Sequence, residues 1–218
     1  MTGTDHIAVF GDSWTAGFGL APDELPYGQL LSQSLKIKNY YNGGLPASSV
    51  GRLLLQLFDY TALHETVKNH IVVFFITSPG RSLVIDDKNK IIDINRTPKL
   101  LKNNQATLAD MYYDYFNSVS MEQFELTRNI LALQQFCSQT QMQDYYIVGW
   151  NDLQFDCVGI NKQKIYPKSC VQLFGYPDQR DYINELPNQY VLPCRHPNQQ
   201  GHELIANALY NWIKDNAG

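Results

Sequence analysis

The feature that most constrains the fold is the segment from Ile71 to Ile76, an unbroken apolar run of β-branched and aromatic side chains. A strand that is apolar on both faces is typical of the interior of a parallel sheet. The run is far too short to cross a lipid bilayer, and we expect no transmembrane segment. It therefore predicts an inner strand of a parallel sheet.

Strand-like and helix-like segments alternate along the chain, which indicates βαβ units. The predicted strands are residues 6–10, 39–41, 71–76, 145–150 and 190–192. The predicted helices are residues 27–36, 50–64, 104–116 and 121–142, and a last helix, capped by Asn198, that runs to about residue 214. This order predicts an α/β protein with a parallel sheet.

In such sheets, ligands bind beyond the carboxyl ends of the strands. Five residues that could carry function each follow a predicted strand: Ser13, Gly43, Ser78, Asn151 and His196. They are expected to share one edge of the sheet, which makes that edge the predicted site.

Length and charge narrow the class of protein. The chain has 218 residues, which fits one folded domain. A net charge of −4 argues against a general nucleic-acid-binding surface, so we expect no nucleic-acid partner. No secretory signal is visible, so we expect a cytoplasmic or virion-associated protein.

The four cysteines, Cys137, Cys157, Cys170 and Cys194, are expected to be thiols in such a protein. A Cys157–Cys170 disulfide is the alternative if the protein is exported. Because no cysteines lie at the close spacing of a metal site, we expect no metal and no cofactor.

Residues 82–116 are predicted to be an insertion that leaves the third strand. Apolar segments at 83–85 and 91–94 flank a polar stretch, which predicts a β-hairpin. Because the insertion starts at the carboxyl end of a strand, we expect it to lie over the site and shape access to it.

The tripeptide Gly11-Asp12-Ser13 stands where the first strand hands over to a loop and a helix. Glycines permit a sharp turn there, and unpaired backbone N–H groups lie nearby. A serine hydroxyl in that position is suited to be a nucleophile beside an oxyanion site. Taken alone, the tripeptide is more typical of a plain helix-capping turn, and the other end of the chain is what favours a nucleophile.

His196 is the predicted base for Ser13, because imidazole titrates near neutral pH. Pro197 keeps His196 in a loop before the last helix. His202 is the competing candidate, but it lies on that helix, where a packing or capping role is favoured.

Together, Gly11-Asp12-Ser13 and the run His-Pro-Asn-Gln-Gln-Gly-His at 196–202 resemble the SGNH (GDSL-type) hydrolase family, over residues 10–206. The resemblance implies one SGNH hydrolase-like domain over residues 1–218. Its fold would be a three-layer α/β/α arrangement with a parallel, flavodoxin-like five-stranded sheet. It implies a serine nucleophile at Ser13 and a histidine base at His196.

The family also uses backbone and asparagine donors to hold an oxyanion. Residues 42–48 (Asn-Gly-Gly-Leu-Pro-Ala-Ser) resemble its second motif, which implies a backbone donor at Gly44 or Ala47. The asparagine expected after the third strand is missing. Ser78 or Arg81 replaces it, or Asn151 reaches in from the neighbouring strand.

The aspartate that should precede the histidine is also missing, since Pro193 and Cys194 occupy its place. Another group must then orient the imidazole. We expect Asp152 first, with Asp156, Asp178 or a backbone carbonyl as alternatives.

Two functions of different class remain open from the sequence. One is a serine esterase or acylhydrolase acting on a small-molecule ester, such as an O-acetylated carbohydrate or a lipid ester. The other is a catalytically degenerate binding or virion structural module on the same fold, which the two missing residues favour. The sequence does not predict the oligomeric state.

Overall fold

The computed structural model describes residues 4–78, 81–85, 91–95, 112, 118–150, 158–177, 182 and 188–216. The strands are β1 (His6–Phe10), β2 (Asn39–Asn42), β3 (Ile71–Ile76), β4 (Arg81–Ile85), β5 (Ile91–Asn95) and β6 (Gln143–Val148). The helices are α1 (Ser13–Ala16), α2 (Tyr27–Leu35), α3 (Arg52–Thr61), α4 (Val119–Thr140), α5 (Cys170–Leu173) and α6 (Gln199–Asn216). A 3-10 turn spans Lys162–Lys164.

The main sheet is parallel and has the strand order β2-β1-β3-β6. Val9 of β1 pairs with Asn42 on one side and with Val73 on the other, so β1 and β3 are inner strands. All six residues of β3 are buried, as its unbroken apolar sequence predicts. The predicted inner strand of a parallel sheet is confirmed.

Alternate residues of the inner strands pack into two different cores. Ile7 and Val9 pack with α2 and α6, whereas Ala8 and Phe10 pack with α3 and α4. Because successive side chains of a strand point to opposite faces, this pattern requires helices on both sides of the sheet. The three-layer α/β/α prediction is confirmed.

The described residues form four parallel strands, and the prediction of a fifth at 190–192 is wrong. Val191 makes only isolated antiparallel bridges, to Asn188 and Pro197. The chain turns back too soon to extend, because the Leu192 amide donates to the His196 carbonyl at 2.8 Å. Besides its pairing with β3, β6 has one isolated parallel bridge among the described residues, from Tyr146 to Ile165.

Helix boundaries follow local signals. α4 ends where Gln141 takes a left-handed backbone conformation, at φ 58°, so the helix stops before residue 142. The amide of Gly201 donates to Asn198 Oδ1 at 3.0 Å, which confirms the predicted cap of α6. Apart from residue 112, the predicted helix at 104–116 lies outside the described residues.

The predicted hairpin is present as the antiparallel pair β4–β5. Cys137 and Cys170 are buried free thiols and Cys194 is an exposed one, while Cys157 lies outside the described residues. Within the ranges given above, no helix combines the length and apolar character that a membrane span requires.

Candidate active site

The turn between β1 and α1 presents Ser13 at the carboxyl edge of the sheet. Asp12 caps α1 by accepting a hydrogen bond from the Trp14 amide at 3.0 Å. A Cβ atom at position 11 would lie 2.2 Å from Thr15 Oγ1 and 2.7 Å from Phe75 Cβ. Gly11 is therefore required by close packing of the turn against its neighbours and not by a positive φ.

Ser13 and His196 are in direct contact, as their positions after predicted strands led us to expect. Ser13 Oγ lies 3.0 Å from His196 Nε2, and Nδ1 of the same ring lies 3.0 Å from the Cys194 carbonyl oxygen. Because a carbonyl only accepts, Nδ1 carries the hydrogen of the neutral ring. Nε2 is then free to accept the serine proton.

A tight turn holds the Cys194 carbonyl in this position. Arg195 has a left-handed backbone, with φ 66°, and its amide donates to the Leu192 carbonyl at 2.9 Å. The hydroxyl of Tyr182 donates to the Arg195 carbonyl at 2.8 Å. This turn was not predictable from local sequence, since neither glycine nor asparagine occupies its left-handed position.

The surroundings of His196 favour the neutral form of its imidazole. Partial burial lowers its pKa below the ordinary value of 6.5. The hydrogen bond to Cys194 and the charge of Asp12 act in the opposite direction, and the charge of Arg81 adds to the lowering. A neutral imidazole facing a hydroxyl is a competent general base.

A charged network lies directly beside the serine. The buried carboxylate of Asp12 accepts from Arg81 Nη1 and from Thr77 Oγ1, both at 2.7 Å, and Arg81 Nη1 also lies 3.0 Å from Thr77 Oγ1. Asp12 is only 3% exposed, so its charge needs these partners. Arg81, a predicted site residue, is thus held near Ser13 by its ion pair with Asp12. Sequence reasoning did not predict this pair.

The loop after β2 contains both of the residues predicted as backbone donors, Gly44 and Ala47. The Gly44 amide already donates to Asn42 Oδ1 at 2.9 Å. Glycine is needed there for close approach, because a Cβ would lie 2.4 Å from the Ala16 nitrogen. Ala47 is exposed and has a left-handed backbone, with φ 65°. Among the described residues, neither its amide nor the amide of Ser13 donates a backbone hydrogen bond.

The β4–β5 hairpin is fastened to the same edge of the sheet. Asp93 of β5 accepts at Oδ1 from the Ser49 amide at 2.9 Å and hydroxyl at 2.6 Å, and its Oδ2 accepts from both Nε and Nη2 of Arg52. Ser78 lies two residues after the end of β3 and is half-buried, and its carbonyl accepts from the Arg81 amide at 3.3 Å. The hairpin therefore starts beside the site, at Arg81, and is held against the first turn of α3.

No protein-family model matches this sequence, and no curated protein matches it. Solved structures do. A lipase from a goat rumen metagenome superposes with a TM-score of 0.55 at 11% identity, covering 96% of this chain and 97% of that one. A lipolytic protein of the G-D-S-L family from Desulfitobacterium hafniense gives 0.53 at 11%, covering 96% and 99%. A psychrotrophic esterase from a Pseudoalteromonas species, inhibited by monoethylphosphonate, gives 0.52 at 14%, covering 97% of both chains.

The chain has the SGNH hydrolase fold. Its architecture and strand order are what the resemblance to that family implied, except that the described residues contain four parallel strands and not five. The likeness extends over nearly the whole chain, at an identity low enough that only the fold follows from it.

On this SGNH hydrolase fold, the group beside Nδ1 of His196 is the Cys194 carbonyl and not a carboxylate, among the described residues. Asn151, Asp152, Asp156 and Asp178 lie outside the described residues. The roles expected for Asn151 and Asp152 therefore stay predictions.

His202 is a packing residue, as favoured from the sequence. It is fully buried, and its Nδ1 accepts from the Tyr27 amide at 3.1 Å. Burial lowers its pKa to about 4, with a smaller contribution from His196. Among the described residues, the partner of the Ser13 hydroxyl is His196. His202 instead accepts a hydrogen bond from the first amide of α2.

A cluster of aromatic side chains packs around Trp14, the residue that follows Ser13. Trp14, next to the serine, is 4% exposed and packs among Phe75, Trp150, Phe174 and Tyr182. Sequence reasoning did not identify this cluster, because its members come from distant parts of the chain.

Proposed function

We propose that this protein is a serine ester hydrolase with Ser13 as nucleophile and His196 as general base. The observation that carries the proposal is the 3.0 Å contact between Ser13 Oγ and His196 Nε2, on an imidazole whose other nitrogen already donates to a carbonyl. A serine hydroxyl needs such a base to become nucleophilic at neutral pH.

The chemistry proceeds in two halves. His196 Nε2 takes the Ser13 proton as Oγ bonds to the ester carbonyl carbon, giving a tetrahedral oxyanion. The oxyanion collapses, the bond to the alcohol oxygen breaks, and His196 returns the proton to that oxygen. Water then attacks the acyl-enzyme with His196 again as base, which releases the acid and restores Ser13.

The oxyanion is held, in this proposal, by the backbone N–H groups of Ser13 and Ala47. Gly44 is less suited, since its amide is engaged by Asn42. Arg81 takes the place of the missing asparagine, because its guanidinium is the cation that Asp12 fixes beside the serine. Ser78 and Asn151 are the alternative third donors.

A triad acid orients the imidazole and stabilises its charged form, and here two different groups perform these tasks. The Cys194 carbonyl orients the imidazole, and the Asp12 carboxylate, which raises the pKa of His196, favours the charged imidazolium that forms in the reaction. Asp152 stays the alternative orienting group. Substrates are small esters, with O-acetylated carbohydrates and lipid esters as the classes to screen.

The test is covalent labelling with a fluorophosphonate probe, read by intact mass and by the modified peptide. The parent protein should gain one label on Ser13, and Ser13→Ala should gain none while retaining its melting temperature. Turnover of p-nitrophenyl acetate should vanish in the same variant. A folded parent protein that neither labels nor turns over esters would instead support a non-catalytic binding module, which the two missing family residues favour.

A further inference from the structure

An exposed aromatic ring lies against the imidazole of His196. Phe18 is 54% exposed, and its ring centroid lies 4.9 Å from that of His196 at an interplanar angle of 47°. Single exposed apolar residues are common on protein surfaces and need no explanation. This one is different because it contacts the proposed base directly.

The backbone holds Phe18 in this position. Its amide donates to the Ser13 carbonyl at 2.9 Å. It is flanked by Gly17 and Gly19, which are left-handed at φ 78° and 94°. A Cβ atom at position 19 would lie 2.9 Å from Leu192 Cδ1, so the loop packs closely against the turn that carries His196. The phenyl ring is therefore presented by a fixed loop.

The proposed reaction decides which part of a substrate meets this ring. The alcohol oxygen of the ester must lie within hydrogen-bond reach of His196 Nε2, because that nitrogen returns the proton to it. The carbonyl oxygen must instead face the amide donors of Ser13 and Ala47. A ring packed on the imidazole thus lies on the alcohol side of the scissile bond.

We infer that Phe18 is a specificity-determining residue that favours esters whose alcohol portion presents a flat apolar face, such as an aryl alcohol. The inference rests on the proposed function. Offset and tilted aromatic contacts add to the free energy of apolar burial, so an aryl group gains more from this ring than a methyl group does.

The experiment compares two substrate series in Phe18→Ala and the parent protein. The first series keeps the acetyl group and varies the alcohol, from methyl through phenyl to 2-naphthyl acetate. The second keeps p-nitrophenol and varies the acyl group, from acetate through butyrate to hexanoate. The variant-to-parent ratio of kcat/KM is used for each ester, so that intrinsic reactivity cancels.

In the first series, kcat/KM should fall about tenfold for the naphthyl ester and less than about twofold for the methyl ester. The loss should appear in KM. In the second series, the loss should be the same for every acyl chain. Phe18→Tyr, which keeps the ring, should restore the parent pattern. Phe58→Ala, on α3, removes another partly exposed ring, and should leave every ratio near one.

A loss that grows with acyl length would place Phe18 on the acyl side and overturn the inference. So would an equal loss for methyl and naphthyl acetate. Labelling of Ser13 by the fluorophosphonate probe in Phe18→Ala separates the two proposals. If Ser13 labels normally but the alcohol series is flat, only this inference fails. If the parent protein itself does not label, the proposed function fails and this inference fails with it.

Discussion

Two regions close together in the chain place the same side chain in opposite chemical situations. In the loop before α6, His196 is half-exposed, and its two nitrogens face the Ser13 hydroxyl and the Cys194 carbonyl. In the first turns of α6, His202 is fully buried, and its Nδ1 accepts from the Tyr27 amide.

The difference lies in which nitrogen carries the hydrogen. The carbonyl partner of His196 requires the hydrogen on Nδ1 and leaves Nε2 as a base. The amide partner of His202 requires the hydrogen on Nε2, a buried atom with no described partner. Pro26, the N-cap of α2, provides no side-chain acceptor, and His202 accepts instead from the amide of Tyr27, the first residue of the helix. An imidazole thus acts as base or as cap according to its partners and not to its position in a motif.

The largest expected effect separates the two histidines by substitution. His196→Asn should lower turnover of p-nitrophenyl acetate by at least about a thousandfold, because the general base is lost, with little change in melting temperature. His202→Leu should retain activity per folded molecule within about threefold. It should also lower the free energy of unfolding by about 2 kcal/mol, because the Tyr27 amide is left without an acceptor.

Activity assays and denaturant unfolding on the two purified variants check both halves of this prediction. The comparison would break if His202→Leu lost activity while remaining folded, since His202 would then act in the chemistry.

Part of this contrast was visible in the sequence. Gly11-Asp12-Ser13 and the His196–Pro197 pair carried enough local information to predict a serine and a histidine at one edge of the sheet. The buried run of β3 fixed the sheet that brings them together. The orientation of His196 was not predictable, because it depends on the left-handed backbone of Arg195, a residue type that seldom signals one.

Ion pairs between residues far apart in the sequence were also not predicted. Arg81 was identified as a site residue, but its partner Asp12 lies far away in the sequence and resembles an ordinary capping aspartate. The pair Asp93 and Arg52 is equally remote. The strand predicted at 190–192 failed because residues after it fold back onto it, which a local apolar pattern does not reveal.

The next effect is a pH dependence of stability to which the buried His202 contributes. The pKa of His202 is about 4 in the folded protein and about 6.5 when unfolded. Between these values the unfolded chain binds the extra proton, so the stabilisation is complete above about pH 6.5 and is lost as the pH falls toward 4. The loss should be on the order of 3 kcal/mol.

Urea unfolding of the parent protein and His202→Leu across this pH range isolates the contribution. His70, whose pKa is also lowered to about 4, titrates in both proteins and cancels in the difference. Parallel stability curves for the two proteins would show that His202 does not carry the effect.

Substitution of Arg81 tests how the charges of Arg81 and Asp12 act on His196. Arg81→Gln should lower turnover by roughly a hundredfold, at the low end of the loss expected for one oxyanion donor. The acidic limb of the kcat/KM profile, on which activity rises as His196 loses its proton, should also move to higher pH. The direction follows because Arg81 lowers the pKa of His196, and its removal leaves Asp12 unopposed.

Arg81→Lys is the matched control, because it keeps the positive charge and should keep the limb near its parent position. If Arg81→Gln kept turnover within twofold and left the limb in place, Arg81 would only tie the hairpin to the edge of the sheet.

The smallest effect is expected at Asp152, the residue that the sequence favoured as the replacement for the triad acid. The imidazole has one hydrogen on Nδ1, and the Cys194 carbonyl accepts it at 3.0 Å. A complete triad loses about ten-thousandfold when its acid becomes an amide, because the wrong tautomer is then stabilised. A carbonyl has no such alternative form, so His196 keeps its tautomer without a carboxylate. Asp152→Asn should therefore change turnover of p-nitrophenyl acetate by less than about threefold, and Asp156→Asn should behave the same way. A loss of tenfold or more in Asp152→Asn alone, in a protein that remains folded and labels on Ser13, would transfer the orienting role from the Cys194 carbonyl to that carboxylate.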